Sequence, residues 1–398
     1  MDNISETIQS CREEIIRLRR DFHRHPELGM QEVRTGKIVA EYLSDCGMEV
    51  TRLNTTGVSG LLRGASSGPT LLMRADMDAL PIQELSETEY RSTVAGVMHA
   101  CGHDAHTAML LVAAKILAAK RSQLHGNIKF VFEPNEENIG ALGMIEEGVL
   151  ENPKVDACIG VHVWTPLASG TVGIKAGPIM AGMQHFKLVI NGMGGHTATP
   201  HSAIDPIIAA SAVIQTVQTI QTRQLDILHE PSVIMFGSIN GGTAANIIPD
   251  SVTLHGTIRY LYEGDDQSET SPLLRLRRTI EAVCAVHGTT CDLEFSFGHP
   301  TLVNDEAMVA LVHRVVDGMK PPLSVEPVVT LAGEDFSEFA SRVPGVFYFL
   351  GAGKTGEEIF PHHHPRFDID EDVLEVGVEI HVRTALQFLS SSSKTEVR

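Results

Sequence analysis

Met98-His99-Ala100-Cys101-Gly102-His103-Asp104-Ala105-His106 places one thiol, three imidazoles and one carboxylate within eight consecutive residues, and most of these groups bind metals. Cys101 and His103 stand two apart around a glycine, which leaves the backbone free to turn both toward one point. An apolar, helix-like run follows over residues 105–117. A ligand cluster at the entry to a buried helix reads as the floor of a metal site. The bland alternative makes Cys101 a small core residue and the histidines surface groups. Against it stands the supply of matching partners later in the chain: Glu136-Glu137, His162 and His362-His363-His364.

The flanking segments read as buried strands that deliver polar residues at their ends. Residues 70–75 are apolar enough for burial on both faces and run into Asp76-Met77-Asp78. Carboxylates just past such a strand lie where open α/β sheets place their ligand crevice, so Asp76 is a candidate to orient a ligating histidine, with a helix cap as the competing reading. Residues 127–132 lead to Glu133-Pro134-Asn135-Glu136-Glu137, and residues 155–161 lead to His162. Adjacent glutamates diverge, so one can ligate metal while its neighbour serves as general base.

The 398 residues exceed one ordinary core, which predicts two domains. An apolar share of 43% with 20% charged residues suits a soluble globular protein. Acids outnumber bases 50 to 31, a formal charge of −19, which argues against nucleic acid or anionic membrane as a partner. No basic start precedes an apolar run at the N-terminus, and the longest apolar stretch is broken by Lys115, so neither a signal peptide nor a membrane span is expected. Six scattered cysteines do not resemble a disulfide framework, and a reduced, cytoplasmic protein is expected.

The chain opens with an amphipathic helix carrying Ile4, Ile8, Cys11, Ile15 and Leu18 on one face. Near its end, His23 and His25 read as basic residues beside helix carbonyls. From about residue 182 to 295 the pattern changes to strand, loop, helix, strand, strand, helix, strand, which suits a small α+β domain inserted into the first. It contains two glycine-dense loops, one around His196 and one around Asn246, and a strand carrying Arg259. Its first strand and first helix are expected to be outward surfaces, with an exposed sheet edge inviting pairing with a twin. The α/β alternation resumes over residues 296–398, including the glycine-led turn Gly333-Glu334-Asp335-Phe336.

Nine stretches, in order from Arg-Arg-Asp-Phe-His-Arg-His-Pro-Glu-Leu-Gly (19 to 29) to His-His-Pro-Arg-Phe-Asp (363 to 368), resemble the di-metal aminoacylase and carboxypeptidase family. Between these lie Arg-Ala-Asp-Met-Asp-Ala-Leu-Pro (74 to 81), the opening cluster, Pro-Asn-Glu-Glu (134 to 137), His-Val-Trp (162 to 164), Gly-Gly-His-Thr-Ala-Thr-Pro-His (194 to 201), Gly-Gly-Thr-Ala-Ala-Asn-Ile-Ile-Pro-Asp (241 to 250) and Gly-Glu-Asp-Phe (333 to 336). The branch is that of hippurate and indole-acetyl-amino-acid hydrolases. The resemblance implies an α/β, zinc-peptidase-like catalytic domain with a mixed central sheet flanked by helices (1–181 and 296–398) and an inserted α+β lid and dimerisation domain (182–295). It implies metal ligands at Cys101, His103, Glu137, His162 and His363, the last chosen because only it has proline two residues on, with Glu136 as catalytic base. It also implies that His196 stabilises the oxyanion from a partner subunit and that Asn246, Arg259 and Gly333 bind substrate. Asn135, where alanine is common, and Gln184, where aspartate is common, depart from the family pattern without removing a ligand.

The implied chemistry is metal-assisted hydrolysis of the amide in N-acyl amino acids of acetyl, aroyl or indole-acetyl type, with two divalent ions per subunit, Zn²⁺ or Mn²⁺, and Co²⁺ or Ni²⁺ as further options. The implied assembly is a homodimer through the lid domain, or a larger oligomer. A dipeptidase or carbamoylase on the same fold, and a non-catalytic binding protein that kept the scaffold, are the alternatives.

Overall fold

Four strands running in one direction form the middle of the larger sheet: His125–Glu133, Ser66–Asp76, Ala157–Ala168 and Gly345–Gly353, in that spatial order. In the computed structural model, which describes residues 4–262, 271–354, 356 and 358–391, their side chains are buried almost continuously, among them Leu71, Met73, Phe130, Phe132, Ile159, Val161 and Phe347 to Leu350. Such runs lack polar alternation because both faces of a parallel sheet are covered. Gly57–Arg63 and Glu49–Leu53 extend one side by antiparallel pairing; on the other, Thr171–Gly173 pairs antiparallel with Gly345–Gly353 and Ser324–Glu326 pairs parallel with Thr171–Gly173. The sheet is therefore mixed and flanked by helices, as expected.

The helix His103–Ala119 is buried along nearly its whole length and packs against Arg12–Arg24 and Val373–Ser391. The N-terminal amphipathic segment is two helices, Ile4–Ser10 and Arg12–Arg24, separated at Cys11. Parallel pairing sets Asp76 opposite Glu133, so the chain leaves both strands side by side and the polar segments after them are neighbours. His162 is not at a strand end as read from sequence: it lies within Ala157–Ala168, opposite Phe349, but beyond Gly160, the last residue paired with Ser66–Asp76. One side of the strand is thereby open at His162.

The chain divides into two compact units, Met1–Gly177 with Val303–Val329 and Asp335–Arg398, and Pro178–Leu302 with Thr330–Glu334. The boundaries expected at 181/182 and 295/296 shift accordingly. Residues 178–181 and 330–334 join the second unit because Met180 bridges Thr330 and the Ala181 N–H donates to Ala332 O at 3.0 Å.

The second unit has its own core, formed by Phe186, Leu188, Ile190, Val213, Leu254 and Ile280 among others. Its antiparallel sheet runs Ser232–Gly241, Ser251–Tyr260, Gly182–Asn191, Thr290–His299. The expectation that the first strand lies outward is corrected here: Gly182–Asn191 pairs on both sides, and the edges are Ser232–Gly241 and Thr290–His299. Among the described residues no helix is long and apolar enough to cross a membrane.

Candidate metal centre

Gly102 lets Cys101 and His103 share one side of the turn into the buried helix. It adopts φ +97°, and a Cβ there would lie 2.3 Å from Val163 Cγ2, so a side chain is excluded by both conformation and space. His103 follows as the first helical residue. Its Nδ1–H donates to Asp78, with 2.9 Å to the backbone oxygen and 3.3 Å to Oδ1. That leaves Nε2, buried and without a hydrogen-bond partner. A buried imidazole nitrogen is ordinarily satisfied, and one whose opposite nitrogen is anchored on a carboxylate group has the arrangement of a metal ligand.

Glu136 and Glu137 open a short helical turn bracketed by Asn135 and Ile139, both with φ near +60°. The left-handed conformation of β-branched Ile139 costs on the order of 1–3 kcal/mol, and such strain collects at functional sites. The Glu136 N–H donates to Asp78 Oδ1 at 3.0 Å and the Glu137 N–H to Oδ2 at 3.2 Å. Asp78 thus fixes His103 and both glutamates at once. The Glu136 carboxylate stands 3.9 Å from His103 Nε2 and remains partly open to solvent.

His363 also has a left-handed backbone, φ +64°, and its N–H donates to Ala100 O at 2.8 Å. This places its Nε2 3.1 Å from Glu137 Oε1. On the other side, Cys101 Sγ is 3.4 Å from His162 Nε2. Two groups of donor atoms, each within 4.8 Å, therefore share the Cys101 sulfur: one with His103 and His162, the other with Glu137 and His363. His103, Glu136 and Glu137 form a third such group. One thiol, three imidazoles and carboxylate, with an orphaned buried nitrogen among them, fit a pair of divalent ions. Burial pushes the Cys101 thiol up and the His162 imidazole well down, whereas hydrogen bonds with Cys101 and Glu137 raise His363 to about 10. Protons and cations compete for such donors, so binding of the ions is coupled to pH.

Asp76 was expected to orient a ligating histidine; the hydrogen bonds of His103 are accepted by Asp78, while Asp76 Oδ2 lies 3.8 Å from His103 Nε2. Asp76 Oδ1 accepts from His106 Nδ1 at 2.7 Å and Oδ2 from Arg74 at 2.8 Å, so it orients an imidazole outside the five-residue donor set. His106 is satisfied on its other side too, where Nε2 accepts from the Val163 N–H at 2.8 Å. Arg74 is fully buried and also reaches Glu133 and Asp335, tying together two parallel strands and the segment after Gly333.

The remaining candidates lie in the second unit and fall into two groups. His196 and Asn246 come together where Gly195–His196 pairs with Ile247–Ile248, beside a groove of about 810 Å³ that both line. His196 is exposed, and its Nδ1 accepts from the Ala198 N–H at 3.0 Å. Arg259 and Gly333 form the other group. Arg259 Nη1 donates to Leu331 O at 3.0 Å, and burial lowers its pKa. Gly333 lies close under His299, since a Cβ there would lie 2.5 Å from His299 Nε2 and so displace that ring, and 3.8 Å from Arg259 Nη1. His299 was not singled out in the sequence, where it lies in no dense motif.

The model of peptidase family M20/M25/M40 matches residues 72–387. The chain is 38% identical over 395 residues to thermostable carboxypeptidase 1 of Saccharolobus solfataricus, covering 98% of each. It is 37% identical over 393 residues to N-acetyl-L-cysteine deacetylase of Bacillus subtilis, covering 98% of this chain and 92% of that one. With IAA-amino acid hydrolase ILR1-like 2 of Arabidopsis thaliana it shares 38% over 386 residues, covering 95% and 86%. Its structure is similar to that of a dinuclear metal-binding peptidase of Bacillus subtilis, with TM-score 0.82, 32% identity and coverage of 96% and 99%.

Proposed function

Because this chain belongs to peptidase family M20/M25/M40 and is a metal-dependent hydrolase, we propose that it cleaves the amide bond of N-acyl amino acids, releasing a carboxylic acid and a free amino acid. The observation that carries this reading is the set Cys101, His103, Glu137, His162 and His363 gathered around one sulfur, with the Glu136 carboxylate beside it. The names of two relatives, a deacetylase of N-acetyl-L-cysteine and a hydrolase of IAA-amino acids, support an N-acyl amino acid as substrate.

When bound, two divalent ions supply Lewis acidity that polarises the acyl carbonyl and acidifies water. Zn²⁺ or Mn²⁺ is proposed, with Zn²⁺ favoured by the thiolate. Glu136 accepts a proton as water attacks the acyl carbon and returns it to the departing nitrogen, which general base catalysis requires to sit within reach of the same water. Glu137 cannot serve both as ligand and base; Asp78 holds the backbone N–H groups of both glutamates, whose carboxylates converge with His103 within 4.8 Å, so that base and ligand stand side by side. His196 is proposed to donate to the oxyanion. Asn246 and Arg259 are proposed to hold the substrate carboxylate, since among the described residues Arg259 has no carboxylate partner and its planar fork matches one.

We propose further that the active form is a homodimer in which His196 serves the partner's centre. The edge strand Ser232–Gly241 leaves backbone groups unpaired and exposes Met235 and Ile239, while Ile207 and Ile208 are exposed on the helix Pro206–Thr219. An apolar sheet edge of this kind favours pairing. Six unpaired cysteines support a reducing, cytoplasmic location, which cell fractionation tests. For the reaction itself, a panel of N-acetyl, N-benzoyl and indole-acetyl amino acids is assayed against dipeptides and N-carbamoyl amino acids, with Mn²⁺, Co²⁺ or Zn²⁺ added. Release of free amino acid from the first set identifies the activity, and turnover confined to dipeptides or carbamoyl compounds replaces it with one of those.

A further inference from the structure

Three imidazoles converge on the backbone of one residue, Val163. The Val163 N–H donates to His106 Nε2 at 2.8 Å, and its carbonyl accepts from His162 Nδ1 at 2.6 Å and from His362 Nε2 at 2.9 Å. The rings pack on one another as well, with centroids 4.7 Å apart for His106 and His162 and 5.1 Å for His162 and His362, and His362 stacks on Trp164 at 4.6 Å. Gly102 completes the enclosure, since any side chain there would strike Val163.

The hydrogen-bond pattern assigns every tautomer. The Asp76 carboxylate can only accept, so His106 carries its proton on Nδ1 and offers a bare Nε2 to the Val163 N–H. A carbonyl likewise only accepts, so His162 is protonated on Nδ1 and His362 on Nε2. The outcome is a bare His162 Nε2, the atom 3.4 Å from Cys101 Sγ. We propose that His106 and His362 are positioning residues which clamp the Val163 backbone, one at its N–H and one at its carbonyl, and so hold His162 in the tautomer and orientation that ligate metal. Neither touches substrate. The inference rests on His162 being a ligand, and it extends the support that ligating histidines draw from their surroundings to the backbone N–H and carbonyl of the residue that follows it.

The clamp also changes what the histidine run means. Sequence spacing makes His362 a bystander of His363, but its half-buried ring packs against Trp164 and Phe367 and it donates across the cluster to Val163.

The test uses the full-length metal-free protein titrated with Co²⁺, following the thiolate-to-cobalt and ligand-field absorption bands and the number of ions bound. His106→Leu and His362→Phe remove the hydrogen bonds while keeping bulk. They are expected to weaken one of the two ions by about 10–100-fold and to alter its ligand-field bands. His106→Gln, which restores an acceptor, and His362→Gln, which restores a donor, are expected to recover binding. A merely structural role would not be rescued this way. Wild-type affinity for both ions in His106→Leu and His362→Phe overturns the proposal. Should those two unfold, the glutamine variants decide: folded protein that fails to bind the second ion overturns it. His162→Ala separates the two layers. If it keeps both ions, His162 is no ligand and the inference falls with that assignment. If it loses one ion while His106→Leu and His362→Phe keep both, only the clamp is wrong.

Discussion

Asp78 Oδ1 accepts the backbone N–H of Glu136 at 3.0 Å while the same oxygen lies 3.3 Å from His103 Nδ1. One carboxylate thus ties the proposed base to His103, a proposed ligand of the metal pair. Asp78→Ala should weaken metal binding by about 10–100-fold and lower turnover even at saturating metal, because Glu136 loses its backbone anchor. Metal titration of the stripped protein checks the first part and rate at saturation the second. Unchanged values in both would show that the anchoring is incidental.

His363 and His364 should separate cleanly. His363 reaches Glu137 and lies within the donor group of Cys101, whereas His364 is half-exposed, stacks on Phe360 at 4.6 Å and accepts the Arg366 N–H at 3.1 Å. His363→Ala should abolish metal-dependent hydrolysis, and His364→Ala should shift stability by no more than about 1 kcal/mol with activity kept. A null His364→Ala with an active His363→Ala would put the register off by one.

His23 sits 2.8 Å from Asp104 and 3.3 Å from Glu84, 1% exposed, with Arg19, Tyr90 and His99 around it. Burial opposes its charge, yet the Asp104 charge and the hydrogen bonds to both carboxylates raise its pKa above the ordinary value. A raised pKa in the folded state contributes stability that is complete below the unfolded value, about 6.5, and is lost as pH rises through the folded one. His23→Gln should therefore destabilise most near pH ~6, with the difference from wild type shrinking toward pH ~9. Urea midpoints across that range measure it, and a difference that stays constant or grows with pH contradicts the assignment.

If His196 works across a dimer, mixing inactive His196→Ala with inactive Glu136→Gln under conditions of subunit exchange should restore activity. A mixed dimer then has one centre lacking both groups and one with both intact, so recovery approaches a quarter of the wild-type rate per subunit for random exchange. Action within one subunit leaves every centre short of one group, and the mixture stays inactive.

The residues that carry chemistry were more legible in the sequence than those that hold them. Cys101, His103, Glu136 and Glu137 stood out because a buried strand and a buried helix announce their own ends, His162 stood out although its strand runs on past it to Ala168, and the structure brings these side chains together. Asp78 was passed over for Asp76 because side-chain alternation stops informing once a strand ends, and the backbone turns after Asp76. His23 read as a basic helix end, while its real partners, Glu84 and Asp104, lie 61 and 81 residues away. The same holds for His106 and His362, whose shared partner is the backbone of Val163, which has no signature in sequence. Strand order in the second unit was also hidden, since Gly182–Asn191 becomes central only through two strands that follow it.

The division of labour between Glu136 and Glu137 is the most direct test of a metal-dependent hydrolase with a carboxylate base. Glu136→Gln and Glu137→Gln are compared for bound metal and for hydrolysis of an N-acyl amino acid. Glu136→Gln should keep metal near the wild-type level while turnover falls by about 10²-fold or more, and Glu137→Gln should lose metal. Wild-type turnover in Glu136→Gln, or equal metal loss in both variants, would contradict the account.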